Sequence, residues 1–238
     1  MFKRLLVSFG LAFFALTSIC FADRRAYVWT YEYVTMPKGA SELEYYFTSE
    51  VPDNNSSNKN TLKHWLEYEY GLTSHWDAAI YQQFTNKNNQ GDHHFKYDGF
   101  KIRTRYRLAK KNAYPIDTLI YLEYKRSSDF SKPHEIEAKL ILAKDIGNFN
   151  VSYNQIFERD LERVGKTDFA YAVGLSRSCG QHLKFGVESK GSYSDKRFGV
   201  GPTFSYQGNK YWSALGIIFG TNQDSDDIQS RFIIGIPF

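Results

Sequence analysis

From residue 40 to the end of the chain, apolar and polar side chains alternate in short blocks, which is the period of a strand and not of a helix. Leu62, His64, Leu66, Tyr68, Tyr70 and Leu72 interleave with Lys63, Trp65, Glu67, Glu69 and Gly71. Trp76, Ala78, Ile80 and Phe84 oppose Asp77, Ala79, Tyr81 and Gln83, and Phe100, Ile102, Tyr106 and Leu108 oppose Lys101, Arg103, Arg105 and Arg107. The same pattern sets Ile136, Ala138, Leu140 and Leu142 against Glu135, Glu137 and Lys139, and Leu183, Phe185 and Val187 against Lys184, Gly186 and Glu188. Twelve strands are expected: 40–51, 61–72, 76–86, 96–109, 117–126, 134–144, 148–159, 168–178, 182–192, 197–207, 211–221 and 228–238. Their lengths suit a tilted strand crossing a bilayer, which needs about 9–11 residues. Polar connections (52–60, 87–95, 127–133, 160–167, 193–196, 222–227) alternate with mostly tight ones, an arrangement of loops at one end and short turns at the other.

A soluble β-sandwich also alternates, but it does not put dense charge on one face of nearly every strand. The aromatic content, 17%, is high, and Trp76, Phe149, Tyr211, Trp212 and Phe238 gather at the short-turn end, where a membrane girdle would sit. No run of about 18 apolar residues follows the N-terminus, which excludes a helical membrane bundle. The formal net charge of +4 is spread along the 238 residues, which argues against a nucleic-acid partner. The expected fold class is therefore all-β: a closed antiparallel up-and-down transmembrane β-barrel of about 12 strands with short periplasmic turns.

Residues 1–22 have the layout of a secretory signal peptide: Lys3 and Arg4, an apolar stretch from Leu5 to Leu16, and a small residue, Ala22, at the exit. Lipoprotein processing at Cys20 is the rival reading, disfavoured by Ile19 before it. Cleavage would leave 28 basic against 26 acidic side chains and Cys179 as the single thiol, so no intramolecular disulfide is expected. Residues 23–39 include a thirteenth alternating stretch, 26–35. Even strand numbers are the rule for single-chain bacterial barrels, so 23–39 is assigned to the periplasmic mouth or the lumen, and 40–238 to the barrel.

The chain ends in Phe238, and counting back by twos gives Ile236, Ile234 and Phe232, all apolar. This resembles the C-terminal signature of outer-membrane barrels, which in that group is what the barrel-assembly machinery recognises. The resemblance implies an outer-membrane location after signal-peptide cleavage. Thr30-Tyr31-Glu32-Tyr33-Val34-Thr35-Met36-Pro37-Lys38-Gly39, running into Glu42-Leu43-Glu44-Tyr45, resembles the start of the outer-membrane transporters labelled for the meta-pathway of phenol degradation. Glu69-Tyr70-Gly71-Leu72-Thr73 and Gly235-Ile236-Pro237-Phe238 add to that likeness, which implies a small barrel and leaves the cargo open.

With the apolar set on lipid, the lumen is lined by Glu42, Glu44, Glu67, Glu69, Lys101, Arg103, Arg105, Arg107, Glu135, Glu137, Lys139, Glu188, Lys190 and Arg231. Arg103 and its neighbours are expected to meet carboxylates two strands away, across Asp77 and Tyr81. Acidic and basic walls facing one another would order water and favour polar solutes. The expected function is a passive channel for small polar or charged solutes, without cofactor or metal. The alternatives are a closed barrel with a structural or surface role, or an outer-membrane lipid-modifying enzyme. The six histidines show no nucleophile–base spacing, with His93 and His94 beside Asp92 in a loop and His134 and Glu135 on opposite strand faces. Lys59, Lys87, Lys96, Lys125, Arg126, Lys132, Lys166, Lys196 and Arg197 lie near the outer end, where lipopolysaccharide phosphates are the expected contacts.

Overall fold

In the computed structural model, which describes residues 25–55, 59–89 and 92–238, twelve antiparallel strands close into a barrel. They are β1 (Ser41–Val51), β2 (Lys59–Gly71), β3 (Trp76–Asn89), β4 (Asp92–Arg107), β5 (Asp117–Ser127) and β6 (Glu135–Ile146), then β7 (Phe149–Asp160), β8 (Thr167–Cys179), β9 (Leu183–Ser192), β10 (Arg197–Gln207), β11 (Trp212–Gly220) and β12 (Ile228–Pro237). Each strand pairs with its sequence neighbours, and β1 also pairs with β12 from Glu42↔Pro237 to Val51↔Ile228. The seam ends in a reciprocal pair, Phe238 N–H to the Ser41 carbonyl at 2.9 Å and Ser41 N–H back at 3.3 Å. Every wall strand therefore has a partner on both sides, the condition for a sheet to sit in hydrocarbon. The segment 1–22, read as a signal peptide, lies outside the described residues.

The alternation sorts the faces. Leu66, Ile80, Ile102, Ile120, Leu140, Leu175, Val187, Leu215 and Ile236 point outward and are exposed, with no protein to cover them. On the final strand Phe232, Ile236 and Phe238 are exposed and Ile234 half-buried, while Ile233 and Gly235 turn inward. Such an apolar exterior is stable against acyl chains and not against water.

Two expectations change. Of the stretch expected as a loop, residues 87–89 and 92–95 are strand: β3 runs to Asn89 and β4 starts at Asp92, so His93 and His94 lie in a strand. Thr85, Lys87 and Lys96 continue the ladder past a bulge at Gln83/Phe84, and the polar composition of this hairpin hid its strand character. Trp212 is not in the girdle. It faces inward, 1% exposed, and donates Nε1–H to Glu42 at 2.8 Å, because the inward phase of β11 falls on Trp212, Ala214 and Gly216. A second aromatic cluster, missed from the sequence, lies at the loop end, with Phe84 and Phe95 stacked at 5.8 Å and Tyr193 beside Tyr171 at 5.3 Å.

Residues 25–36 form no strand and lie inside the barrel. Their room is made by small inward residues on one side of the wall: Ala172, Gly174 and Ser176 on β8, Thr203 and Ser205 on β10, Ala214 and Gly216 on β11. A Cβ on Gly174 would stand 2.5 Å from the Tyr27 ring, and one on Gly216 would stand 2.4 Å from Val28 Cγ2 and 2.9 Å from Trp29. Gly216→Val is expected to expel the segment while leaving the barrel wall paired. Limited trypsin treatment should then cut after Arg25, which is 4% exposed in the native protein, with the heat-modifiable barrel band retained. A variant as resistant at Arg25 as the native chain would refute this packing.

Candidate functional site

Register builds the interior. Glu42 stands opposite Glu69, and Glu44 opposite Glu67, between β1 and β2. Across the next two seams, Glu69 faces Ala79 and Ala79 faces Arg103. Ala79 is short, so Arg103 reaches over it to Glu69 Oε2 at 2.8 Å and to Glu67 Oε1 at 2.5 Å. Arg105, opposite Asp77, donates Nε–H to its carboxylate at 3.1 Å and Nη2–H at 2.7 Å, and also bonds Glu69. The Tyr46 hydroxyl lies 2.5 Å from Glu44 and 2.7 Å from Glu67 and accepts from Arg25 at 2.7 Å. All these side chains except Arg25 are anchored to β1–β4, toward the end of the barrel that carries the short turns.

This geometry differs from walls of opposite charge facing across water. Arg103 and Arg105 of β4 lie beside Glu67 and Glu69 of β2 and Asp77 of β3 and neutralise them by contact, while Arg25 of the inner segment stands 3.7 Å from Glu44 of β1. Glu42, Glu44, Glu67, Glu69, Asp77, Arg103 and Arg105 are each 2% exposed or less, so water does not reach them. Arg107 is set apart at the turn end, half-buried, over the Tyr33 ring and bonded to the Ser74 carbonyl.

The inner segment covers the middle of the barrel. Glu188 accepts the backbone N–H groups of Val28, Trp29 and Thr30 at 2.8–3.0 Å, three donors on one carboxylate. Asn154 accepts from Tyr31 N–H at 2.7 Å and donates to its carbonyl at 2.9 Å, and Asp77 accepts from Met36 N–H at 2.9 Å. Tyr27 donates to the Asn150 carbonyl at 2.9 Å, and burial pushes its phenol well above the ordinary value, so it remains a donor. Arg231 donates to the Val28 carbonyl at 3.2 Å. Val28 and Trp29 pack with Tyr46, Ile218 and Ile233, and Tyr31 and Tyr33 pack with Leu119, Tyr121 and Ile141. These inward apolar residues were missed when alternation alone assigned the lumen. Their signal was present in consecutive apolar residues such as Leu119-Ile120, Leu140-Ile141-Leu142 and Ile233-Ile234, which give both faces of a strand an apolar phase.

Beyond the segment, toward the loop end, the barrel opens into a vestibule of about 640 Å³ whose floor is Arg25, Val28, Trp29 and Tyr31. Lys101 pairs with Glu123 at 2.8 Å, Lys139 with Glu137 at 2.8 Å and Lys125 with Glu135 at 2.7 Å. Lys190 and Arg231 line the same space. Among the described residues, no group of three His, Cys, Asp or Glu side chains is arranged to hold a metal ion. Ser74 Oγ lies 2.8 Å from His75 Nδ1 in an exposed turn, with no carboxylate on the ring among the described residues to orient it as a base.

No family model matches the chain, and no curated protein matches it. Solved structures do. The KdgM porin in complex with disordered oligogalacturonate superposes with a TM-score of 0.58 at 8% identity, over 83% of this chain and 98% of that one. The NanC porin gives 0.55 at 9% identity over 83% and 98%. The COG4313 outer membrane channel from Pseudomonas putida F1 gives 0.61 at 8% identity over 89% and 100%. At such identities the likeness is one of fold: this chain has the architecture of bacterial outer-membrane channel barrels.

Proposed function

We propose that the protein is a passive outer-membrane channel for small polar or charged solutes, shut in this conformation by residues 25–36. The observation that carries this reading is the vestibule, a charged space open at one end that stops at a segment the wall does not need. The ladder around the barrel is complete without residues 25–36. The segment is tied to the wall by its continuation into β1 and by side-chain bonds such as those to Glu188 and Asn154. The porin and channel descriptions of the structural neighbours support transport of this kind. The motif likeness to meta-pathway transporters adds phenolic compounds as a cargo class, against which the charged vestibule stands. The packed terminal half of the interior favours the second reading, a closed barrel without transport.

In this reading the loop end faces outward, the signal peptide directs export, and the Phe232–Phe238 strand presents the assembly signal. Lys96, Lys125 and Lys166 already hold carboxylates in the loop region. Lys59, Lys87, Lys196 and Arg197 are the cations we assign to lipopolysaccharide phosphates.

In planar bilayers, deleting residues 25–36 should turn a mostly silent protein into one with steady conductance steps. Glu188→Gln removes the charge from three hydrogen bonds and should weaken the segment's hold by about 2 kcal/mol, raising the open fraction about 30-fold. Equal silence of the native protein and the deletion would favour the closed barrel. Arg103→Ala with Arg105→Ala strips the counter-ions from Glu67, Glu69 and Asp77, at a stability cost of about 3–5 kcal/mol. In the deletion background this pair should move the reversal potential toward cations. An unchanged potential would remove these residues from the conducting path.

A further inference from the structure

Within the vestibule the charges are not evenly satisfied. On β4–β6, Lys101, Lys125 and Lys139 each hold a carboxylate. On the opposite side, Lys190 of β9 and Arg231 of β12 hold none: neither forms an ion pair among the described residues. The carboxylates in this part of the wall hold other donors: Glu188, two residues from Lys190, accepts the backbone N–H groups of Val28, Trp29 and Thr30, Glu50 is held by Lys63 at 2.6 Å and Asp226 by Gln229 at 2.6 Å. Arg231 spends Nε–H on Thr48 at 2.9 Å and Nη1–H on the Val28 carbonyl at 3.2 Å, both uncharged acceptors. Two cations facing the same cavity without counter-ions form a standing demand for an anion, since each would gain a charge-assisted bond.

Aromatic faces flank these cations. The Lys190 ammonium lies 5.3 Å from the Trp29 ring centre, and the Arg231 guanidinium lies 5.6 Å from Trp29 and 5.1 Å from Trp65. Trp65 is half-buried and lines the cavity, so part of its surface is open to a ligand. An anion drawn to Lys190 and Arg231 thus brings its carbon skeleton against an indole. A flat or puckered six-membered ring gains contact there that a bare ion cannot. On the far side Glu135 and Glu137 are already neutralised by Lys125 and Lys139, so that wall offers an anion no unpaired cation.

Resting on the channel reading above, we propose that Lys190, Arg231, Trp29 and Trp65 form a binding subsite for a carboxylate borne on a six-membered ring. An aromatic acid and a sugar acid share this chemistry. The test is equilibrium binding to the refolded full chain in detergent, read as saturable quenching of tryptophan fluorescence. The probes are benzoate, glucuronate, acetate (charge without ring) and phenol (ring without charge).

Saturable quenching is expected with a ring carboxylate and not with acetate or phenol. Benzoate alone would identify aromatic acids, glucuronate alone sugar acids, and both the broader class. Lys190→Gln should weaken binding about tenfold, the loss of one charge-assisted bond, and Trp65→Phe should diminish the signal. Lys190→Gln leaves the Arg231 bonds to Thr48 and Val28 in place, which guards against a folding artefact. Equal binding by phenol, no saturable binding by either ring carboxylate, or unchanged affinity in Lys190→Gln would overturn the proposal. None of these outcomes depends on conductance, so failure of the subsite leaves the channel reading standing, and a silent bilayer leaves the subsite testable.

Discussion

Hydrocarbon offers no hydrogen bonds, and that one constraint organises the molecule. A strand whose amides face acyl chains must find both partners within the protein, so β1 has to meet β12 and the sheet has to close. The Ser41–Phe238 pair completes the seam at the terminal end, and the aromatic final residue sits on the lipid face of the strand that makes the closure. Closure in turn creates an interior that must be filled or hydrated. A twelve-stranded barrel is wider than the eight-stranded kind that side chains alone can fill, and this chain fills it in two ways.

On one side, long charged side chains cross the gap. Arg103 reaches over the short Ala79 to the carboxylates of β2, and Arg105 meets Asp77 of β3 and Glu69 of β2. The pairing sets each of these buried carboxylates against a cation, although Arg103 Nε and Nη1 keep no hydrogen-bond partner among the described residues. Such a network contributes less through Coulomb attraction than through what its loss would expose, since an uncompensated buried charge costs several kcal/mol. On the other side the wall contributes almost no side-chain volume. Gly174, Ser176, Ser205, Ala214 and Gly216 leave a trough, and residues 25–36 occupy it with their backbone amides turned to Glu188 and Asn154.

The wall was legible in the sequence because a strand with lipid on one face must alternate, and strand existence follows from that pattern. Boundaries were less legible where lipid no longer dictates composition: the β3–β4 hairpin projects as Asn, Lys and Thr, which reads as loop. The position of the lumen charges in sequence gave their face but not their partners, because partnership depends on register and on a small residue, Ala79, between them. Trp212 misled because an aromatic near a turn fits both a girdle and an inner contact, and only the phase of β11 separates the two. The apolar inner patch went unread although Leu119-Ile120 and Ile233-Ile234 mark it. Alternation assigns one face per residue and cannot say that a second layer of chain covers the other.

The two ways of filling the interior do not contribute equally to any passage. Salt-bridged side chains of β1–β4 are tethered to the wall, and moving them out of the bore would strand charges away from their partners. The segment 25–36 is joined covalently to the wall only through its continuation into β1; Glu188 and Asn154 hold its amides, and Glu44 and Tyr46 hold Arg25, groups that its displacement would hand to water. With the segment displaced, the space left is bounded by the small residues of β8, β10 and β11 and is continuous with the vestibule floor it had formed. If the protein conducts as proposed, its route would therefore run along the glycine- and serine-lined side, past Glu188. Lys190 stands two residues further along the same face of β9, on the vestibule side of that floor. On such a route the paired arginines would act chiefly as a rigid, nearly neutral wall, and the cations without counter-ions would set the field a solute meets first.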